Sequence, residues 1–155
     1  MSAILVDWIV EIHYKFKLLP ETLFITVNLI DRYLCTRVVN KKNFQLVGIA
    51  AMLIATKYEE IYAPEIKDFV YVSDYAYTAN EVLECEADIL MTSDFNVTTP
   101  SPLAFLDFYL KFTSADLYSE NITKFLLDLS QMDLSMSKHR PSILAASALY
   151  FALSQ

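Results

Sequence analysis

The feature that most constrains this chain is a shortage: Gly48 is the one glycine in 155 residues. Turn-rich β folds depend on glycine because it adopts positive φ without steric cost, whereas a glycine inside a helix weakens it by roughly 1 kcal/mol. A sequence this poor in glycine is predicted to be all-helical. It is 55% hydrophobic and 20% charged, which is the balance of a globular chain rather than a disordered one. A length of 155 residues suits one ordinary domain or two small ones. The longest apolar stretches, residues 46–55 ("LVGIAAMLIA") and 143–153 ("ILAASALYFAL"), fall well short of the roughly 20 that a spanning helix needs. The apolar excess therefore implies a large core together with apolar surface that a partner covers.

Periodicity divides the chain into helices. Along residues 1–17, Met1, Ile4, Leu5, Trp8, Ile9, Ile12 and Phe16 fall on one side, and Val6 and Val10 widen the arc to roughly 240°. That exceeds the stripe of a surface helix, so the segment is predicted to be buried on more than one side, with Glu11 and Lys15 on a mixed edge. Pro20 opens a second helix carrying Leu23, Val27, Ile30 and Leu34. Asn40 is a candidate N-cap for a third, residues 41–60, whose Gly48, Ala50, Ala51 and Ala55 allow close approach of neighbours and mark it as central. Pro64 precedes a short fourth helix, residues 65–72, and Thr78 with Glu81 forms a capping box for a fifth, ending near Met91. "SDFNVTTPSP" (residues 93–102) is the one clear linker. Ser101 and Pro102 then start a sixth helix, and two more are expected at about 118–136 and 141–154.

The search for chemistry is brief. His13 and His139 are the two histidines, and neither HExxH nor ExxH occurs, so no metal ligand set is assigned. No glycine-rich phosphate loop and no nucleophile elbow is present. Cys35 and Cys85 lack CxxC spacing and suit a reducing compartment, and no secretory signal opens the chain. The net charge of −7 opposes nucleic-acid binding. Its acids crowd between Glu59 and Asp94, either as a solvated face or opposite a basic partner. These features favour a binding module with no catalytic residue and no cofactor. One stretch, "TKYEE", is locally awkward: Glu59 and Glu60 sit at the negative end of a helix dipole.

The strings "MSAILVDWIVEIH", "LLPETLFITVNLIDRYL", "QLVGIAAMLIATKYEEIYAPE" and "FVYVSDYAYT" resemble the cyclin box of mitotic, B-type-like cyclins. The resemblance is continuous from Met1 to about Val97 and weaker to Gln155. It implies a cyclin fold: a five-helix bundle, the N-terminal cyclin box over 1–97, followed by a second, incomplete bundle over 98–155 with about three helices. It also implies a regulatory subunit that binds and activates a cyclin-dependent serine/threonine protein kinase in G2/M control and helps recruit substrates. Such a subunit holds the kinase's Lys–Glu pair and activation loop in productive positions by binding the active conformer more tightly. The nucleus and cytoplasm are the implied location. The other reading is a cyclin-fold scaffold or transcription-related adaptor that activates no kinase.

The resemblance assigns two sites. Lys57 and Glu86 match a pair that hydrogen-bonds the kinase backbone. Ile54, Tyr58, Leu90 and Val97 match an apolar pocket for one of its aliphatic side chains, with Phe95 supporting the wall and Glu59 and Glu60 adding acidic contacts or helix-end contacts. On residues alone, Lys57 reads instead as a surface pair with Glu60, worth about 0.2–0.5 kcal/mol. Met1, Ile4, Leu5, Trp8, Glu11 and Gln45, with Val72 and Asp74, match a groove that docks Arg-x-Leu motifs of substrates or inhibitors, unless Trp8 belongs to the core. The sequence departs from the family at Ser2, where a basic residue usually pairs with the match of Asp31. Asp31 is therefore expected to find another donor, such as Arg32, the Ser2 hydroxyl or water.

Overall fold

The computed structural model describes residues 3–133, 136 and 139–155. Among them are eight α-helices and no strand: α1 (Ala3–Phe16), α2 (Pro20–Thr36), α3 (Phe44–Glu59), α4 (Ile66–Val72), α5 (Ala79–Thr92), α6 (Pro102–Leu110), α7 (Leu117–Met132) and α8 (Pro141–Leu153). The chain separates into two compact units, Met1–Thr99 and Pro100–Gln155. No helix among the described residues is long and apolar enough to cross a membrane.

In the first unit α3 is the axle. Every residue from Val47 to Thr56 is buried, and α1, α2, α4 and α5 all pack against this helix. Gly48 fits closely there: a Cβ at this position would lie 2.9 Å from Cδ1 of Ile9 and 3.2 Å from Cδ1 of Leu5, so the ends of these two side chains would have to shift. The small residue thus sets how closely α1 approaches α3. Phe69, Ile30, Met52, Leu53 and Ile89 fill the surrounding core. Burying side chains of this size stabilises the fold by about 1.5–3 kcal/mol each.

Local chemistry fixes the helix ends. The Thr78 hydroxyl accepts from the Glu81 N–H at 3.3 Å, and the Glu81 carboxylate accepts from the Thr78 N–H at 2.7 Å. The second helix-start box, between Glu65 and Asp68, was not foreseen, and α4 begins at Ile66. Asn40 makes no side-chain cap. The chain instead enters α3 through a 3₁₀ turn, Lys41–Asn43, so α3 starts at Phe44 rather than at 41. Two helices end alike without glycine. After α4, Asp74 and Tyr75 take φ values of 54° and 58°, and after α5, Asp94 and Phe95 take 51° and 56°. In each case a buried serine, Ser73 or Ser93, donates its hydroxyl back into the last turn, to Val70 O at 2.7 Å or Leu90 O at 3.1 Å.

In the second unit α8 packs against both α6 and α7. Leu103, Leu106, Leu127, Ala145, Leu149 and Ala152 are buried. Ser101 caps α6 by accepting from the Ala104 N–H at 3.1 Å, and Asp116 caps α7 by accepting from the Ser119 N–H at 2.8 Å. α7 stops at Met132, short of the expected 136.

Candidate functional site

The C-terminal turn of α3 and the facing side of α5 meet at Lys57 and Glu86. The Lys57 ammonium donates to both carboxylate oxygens of Glu86, at 2.8 and 3.0 Å. The Lys57 side chain is half exposed, while that of Glu86 is 12% exposed. Lys57 therefore pairs across helices, not with Glu60 on its own. The ammonium retains a donor, and each carboxylate oxygen retains a lone pair. A donor and an acceptor held side by side in this way suit the carbonyl and N–H of a peptide backbone.

Beside the pair lies an apolar rim. Tyr58 is half exposed and its hydroxyl hydrogen-bonds Thr98 Oγ1 at 2.5 Å. Leu90 is partly buried, Met91 is exposed, and Phe95 is 68% exposed on its left-handed backbone. Ile54 and Val97 are buried and pack into the core cluster, so they support this rim from beneath.

Glu60 has a different setting. Its carboxylate accepts from the Leu19 N–H at 2.7 Å and from the Thr22 hydroxyl at 2.6 Å. These groups form the N-terminus of α2, where the dipole favours negative charge. The Leu19 carbonyl in turn accepts from Nε2 of the buried His13 at 3.0 Å. The awkward carboxylate at the end of α3 thus has a partner inside the unit. Glu59 is partly buried on the same turn.

A cleft of about 350 Å³ opens between α1 and the start of α3, lined by Ile4, Leu5, Trp8, Lys41, Phe44 and Gln45. It brings together four of the residues assigned to the docking groove and adds Lys41 and Phe44, which the sequence reading missed. Trp8 is partly buried against the core and lines the cleft as well, so the two readings of it are compatible. Glu11, Val72 and Asp74 are not part of the cleft lining. Glu11 and Asp74 are exposed and Val72 packs against the core. Met1 lies outside the described residues.

Arg32 is not the donor expected for Asp31. Its guanidinium donates to Asn96 O at 2.7 Å and Ser93 O at 3.2 Å, tying α2 to the end of α5. Ser2 lies outside the described residues. Burial pushes the Asp31 carboxyl above its ordinary range. Burial, with the Asp88 carboxylate nearby, also pushes the Cys85 thiol up to about 11, which leaves it protonated and unreactive at neutral pH. Among the described residues no group of three His, Cys, Asp or Glu is placed to hold a metal ion.

Residues 1–98 match the family described as Cyclin, N-terminal domain, and residues 100–155 match Cyclin, C-terminal domain. The chain is 48% identical over 152 residues to Cyclin-B2-1 of Oryza sativa subsp. japonica, covering 98% of this chain and 36% of that protein. It is 47% identical to Cyclin-B2-1 of Arabidopsis thaliana, covering 98% of this chain and 35% of that protein. It is also 47% identical to G2/mitotic-specific cyclin-2 of Medicago sativa, covering 98% of this chain and 46% of that protein. The chain spans between about a third and a half of the length of these relatives. Among solved structures, the X-ray structure of a viral cyclin from herpesvirus saimiri superposes with a TM-score of 0.86 at 22% identity, over 97% of this chain and 68% of that one. At that identity the likeness shows the fold alone.

Proposed function

The chain belongs to the cyclin family, and from that premise we propose that it is a regulatory subunit that binds and activates a cyclin-dependent serine/threonine protein kinase in G2/M control. The name of one relative, G2/mitotic-specific cyclin-2 of Medicago sativa, supports the cell-cycle role, and two further relatives are B-type cyclins by name. The observation that carries the kinase contact is the Lys57–Glu86 pair at 2.8 and 3.0 Å beside the open rim of Tyr58, Leu90 and Phe95. Lys57 would donate to a backbone carbonyl of the kinase and Glu86 would accept from a backbone N–H, while the rim takes an aliphatic side chain. Glu59 would add acidic contact, with Glu60 holding the rim in place. This surface supplies no catalytic group; it acts by preferring the active kinase conformer and raising its population. We assign residues 1–97 and 98–155 to successive cyclin boxes, and place the protein in the nucleus and cytoplasm. The cleft at Ile4, Leu5, Trp8 and Gln45 is the proposed docking groove for Arg-x-Leu motifs, with Glu11 beyond its edge taking the arginine.

The test is a titration of a mitotic kinase by this chain, followed by kinase assay. Lys57→Ala and Glu86→Ala should each weaken binding by about tenfold, which is about 1.4 kcal/mol. Lys67→Ala, which breaks an exposed pair with Glu65, should leave binding unchanged. Variants at 57 and 86 that bind and activate like the parent would remove this contact. A parent chain that binds no kinase would remove the whole reading.

A further inference from the structure

We propose that the cleft between α1 and α3 selects a peptide whose large apolar anchor is flanked by an acidic side chain, and that Lys41 is the residue that reads the acid. The proposal rests on the reading of this cleft as a docking groove and specifies the chemistry of its occupant.

The cleft has an apolar floor and one charge. Leu5 is buried, Trp8 and Phe44 are partly buried, and Ile4 is 80% exposed at the edge. A solvent-exposed isoleucine beside a tryptophan marks surface that an apolar group can cover. A volume of about 350 Å³ is at the small end for ligand sites, suited to one large side chain and its adjoining backbone. Among the lining residues Lys41 alone carries charge. Lys57 and Lys67 each have a carboxylate within 2.8 Å, whereas Lys41 has no ion-pair partner among the described residues.

The lysine stands on a fixed base. The 3₁₀ turn that carries it is closed by Asn43 N–H donating to Asn40 O at 2.8 Å, and the Phe44 N–H donates to Lys41 O. The Tyr77 hydroxyl donates to Lys42 O at 2.7 Å, pinning the turn from outside. A fixed base shortens the search of a flexible cation for its partner. Glu11, the acid proposed to take the arginine, is outside the lining. A cationic residue of the peptide must therefore reach past the cleft, while the group next to the buried anchor meets an ammonium. In a chain of net charge −7, that local cation turns preference toward an acid at one position.

The experiment uses the whole chain and three fluorescently labelled peptides of Ser and Ala with a single leucine. The leucine is flanked by aspartates, serines or lysines, and anisotropy is read at low ionic strength to limit screening. The aspartate peptide should bind about three- to fivefold more tightly than the serine one, the range of one exposed ion pair, and the lysine peptide most weakly. Lys41→Glu should reverse that order. Ile4→Ala should weaken all three without unfolding the chain, since Ile4 is exposed. Lys67→Glu makes the same charge change on α4 and should leave the order as it was. Equal affinity for the aspartate and serine peptides overturns the inference while leaving the cleft as a docking groove, and so does a Lys67→Glu effect as large as that of Lys41→Glu. Failure of every peptide to bind overturns the inference as well, because the cleft then holds no isolated apolar anchor for Lys41 to read beside.

Discussion

Glu60 shows how a residue that breaks a local rule can satisfy a distant one. At the end of α3 its charge opposes the dipole of its own helix, but its carboxylate meets the Leu19 N–H and Thr22 hydroxyl at the start of α2. Those contacts span 41 and 38 residues of sequence, so no pattern local to "TKYEE" could disclose them. Read locally, the residue is only a charge at the wrong end of a helix; the fold gives it an internal partner. Glu60→Ala should lower the unfolding free energy by about 1–2 kcal/mol, as expected for loss of a cap with charge–dipole help. Glu60→Gln, which keeps an acceptor, should cost less, and urea titration distinguishes the two. A neutral effect of both would show that the cap contributes nothing. Asp31 works in the opposite sense. Its folded-state carboxyl is raised by burial, so ionising it opposes folding. Asp31→Asn should therefore be the more stable protein at neutral pH. Its advantage should shrink as pH falls through the raised carboxyl pKa and vanish below the unfolded value, because the parent is then neutral as well. Melting temperatures across that pH range check the trend.

At the scale of single elements the sequence was most legible where the signals were short-range. The Thr78–Glu81 box, the Ser101 cap and the prolines opening α2, α6 and α8 all act within one turn, and each lies where spacing placed it. Thr78→Ala should cost about 0.5–2 kcal/mol, measured by chemical denaturation. The backbone N–H and hydroxyl of Thr78 hold the Glu81 carboxyl below its ordinary range. The part of the cap that depends on the charged form should thus be complete above the unfolded carboxylate pKa and fade as pH falls through the folded one. The 3₁₀ entry to α3 was illegible because Asn40 has the right side chain for a cap but makes no cap bond. Lys41 and Phe44 were missed for the same reason. They reach the cleft only because that turn places them opposite α1, and the apolar spacing of α1 says nothing about the far wall. Gly48 was noticed as a small residue, but its tolerance depends on Ile9 and Leu5. Gly48→Ala gains roughly 1 kcal/mol of helix propensity and meets overpacking of about 1–3 kcal/mol, so a net loss of about 1 kcal/mol is expected. Because Leu5 also lines the cleft, the same change should weaken peptide docking.

Across the whole molecule, burial is unevenly shared between the two units. The first has a continuous core around α3. The second buries Leu103, Leu106, Leu127, Ala145, Leu149 and Ala152, yet leaves Phe112, Leu117, Tyr118, Phe125, Ile143, Tyr150 and Phe151 exposed. Apolar side chains left in water contribute little to folding, so at about 25 cal/mol per Å² the second unit has much less stabilisation for the backbone it orders. Non-coincident unfolding follows, because two units with such different cores need not melt together. The chain carries its own reporter: its single tryptophan, Trp8, lies in the first unit, while far-UV circular dichroism sees the helices of both. In a urea titration the dichroism signal should begin to fall at lower denaturant than the tryptophan emission. The early phase should have the smaller m-value, in proportion to the surface it exposes. Leu106→Ala, in the second unit's core, should move the early phase to lower urea and leave the tryptophan transition in place, whereas Leu53→Ala in α3 should move the tryptophan transition. Superimposable transitions by both probes, shifted together by either substitution, would mean that the two units fold as one cooperative block despite the imbalance in their cores.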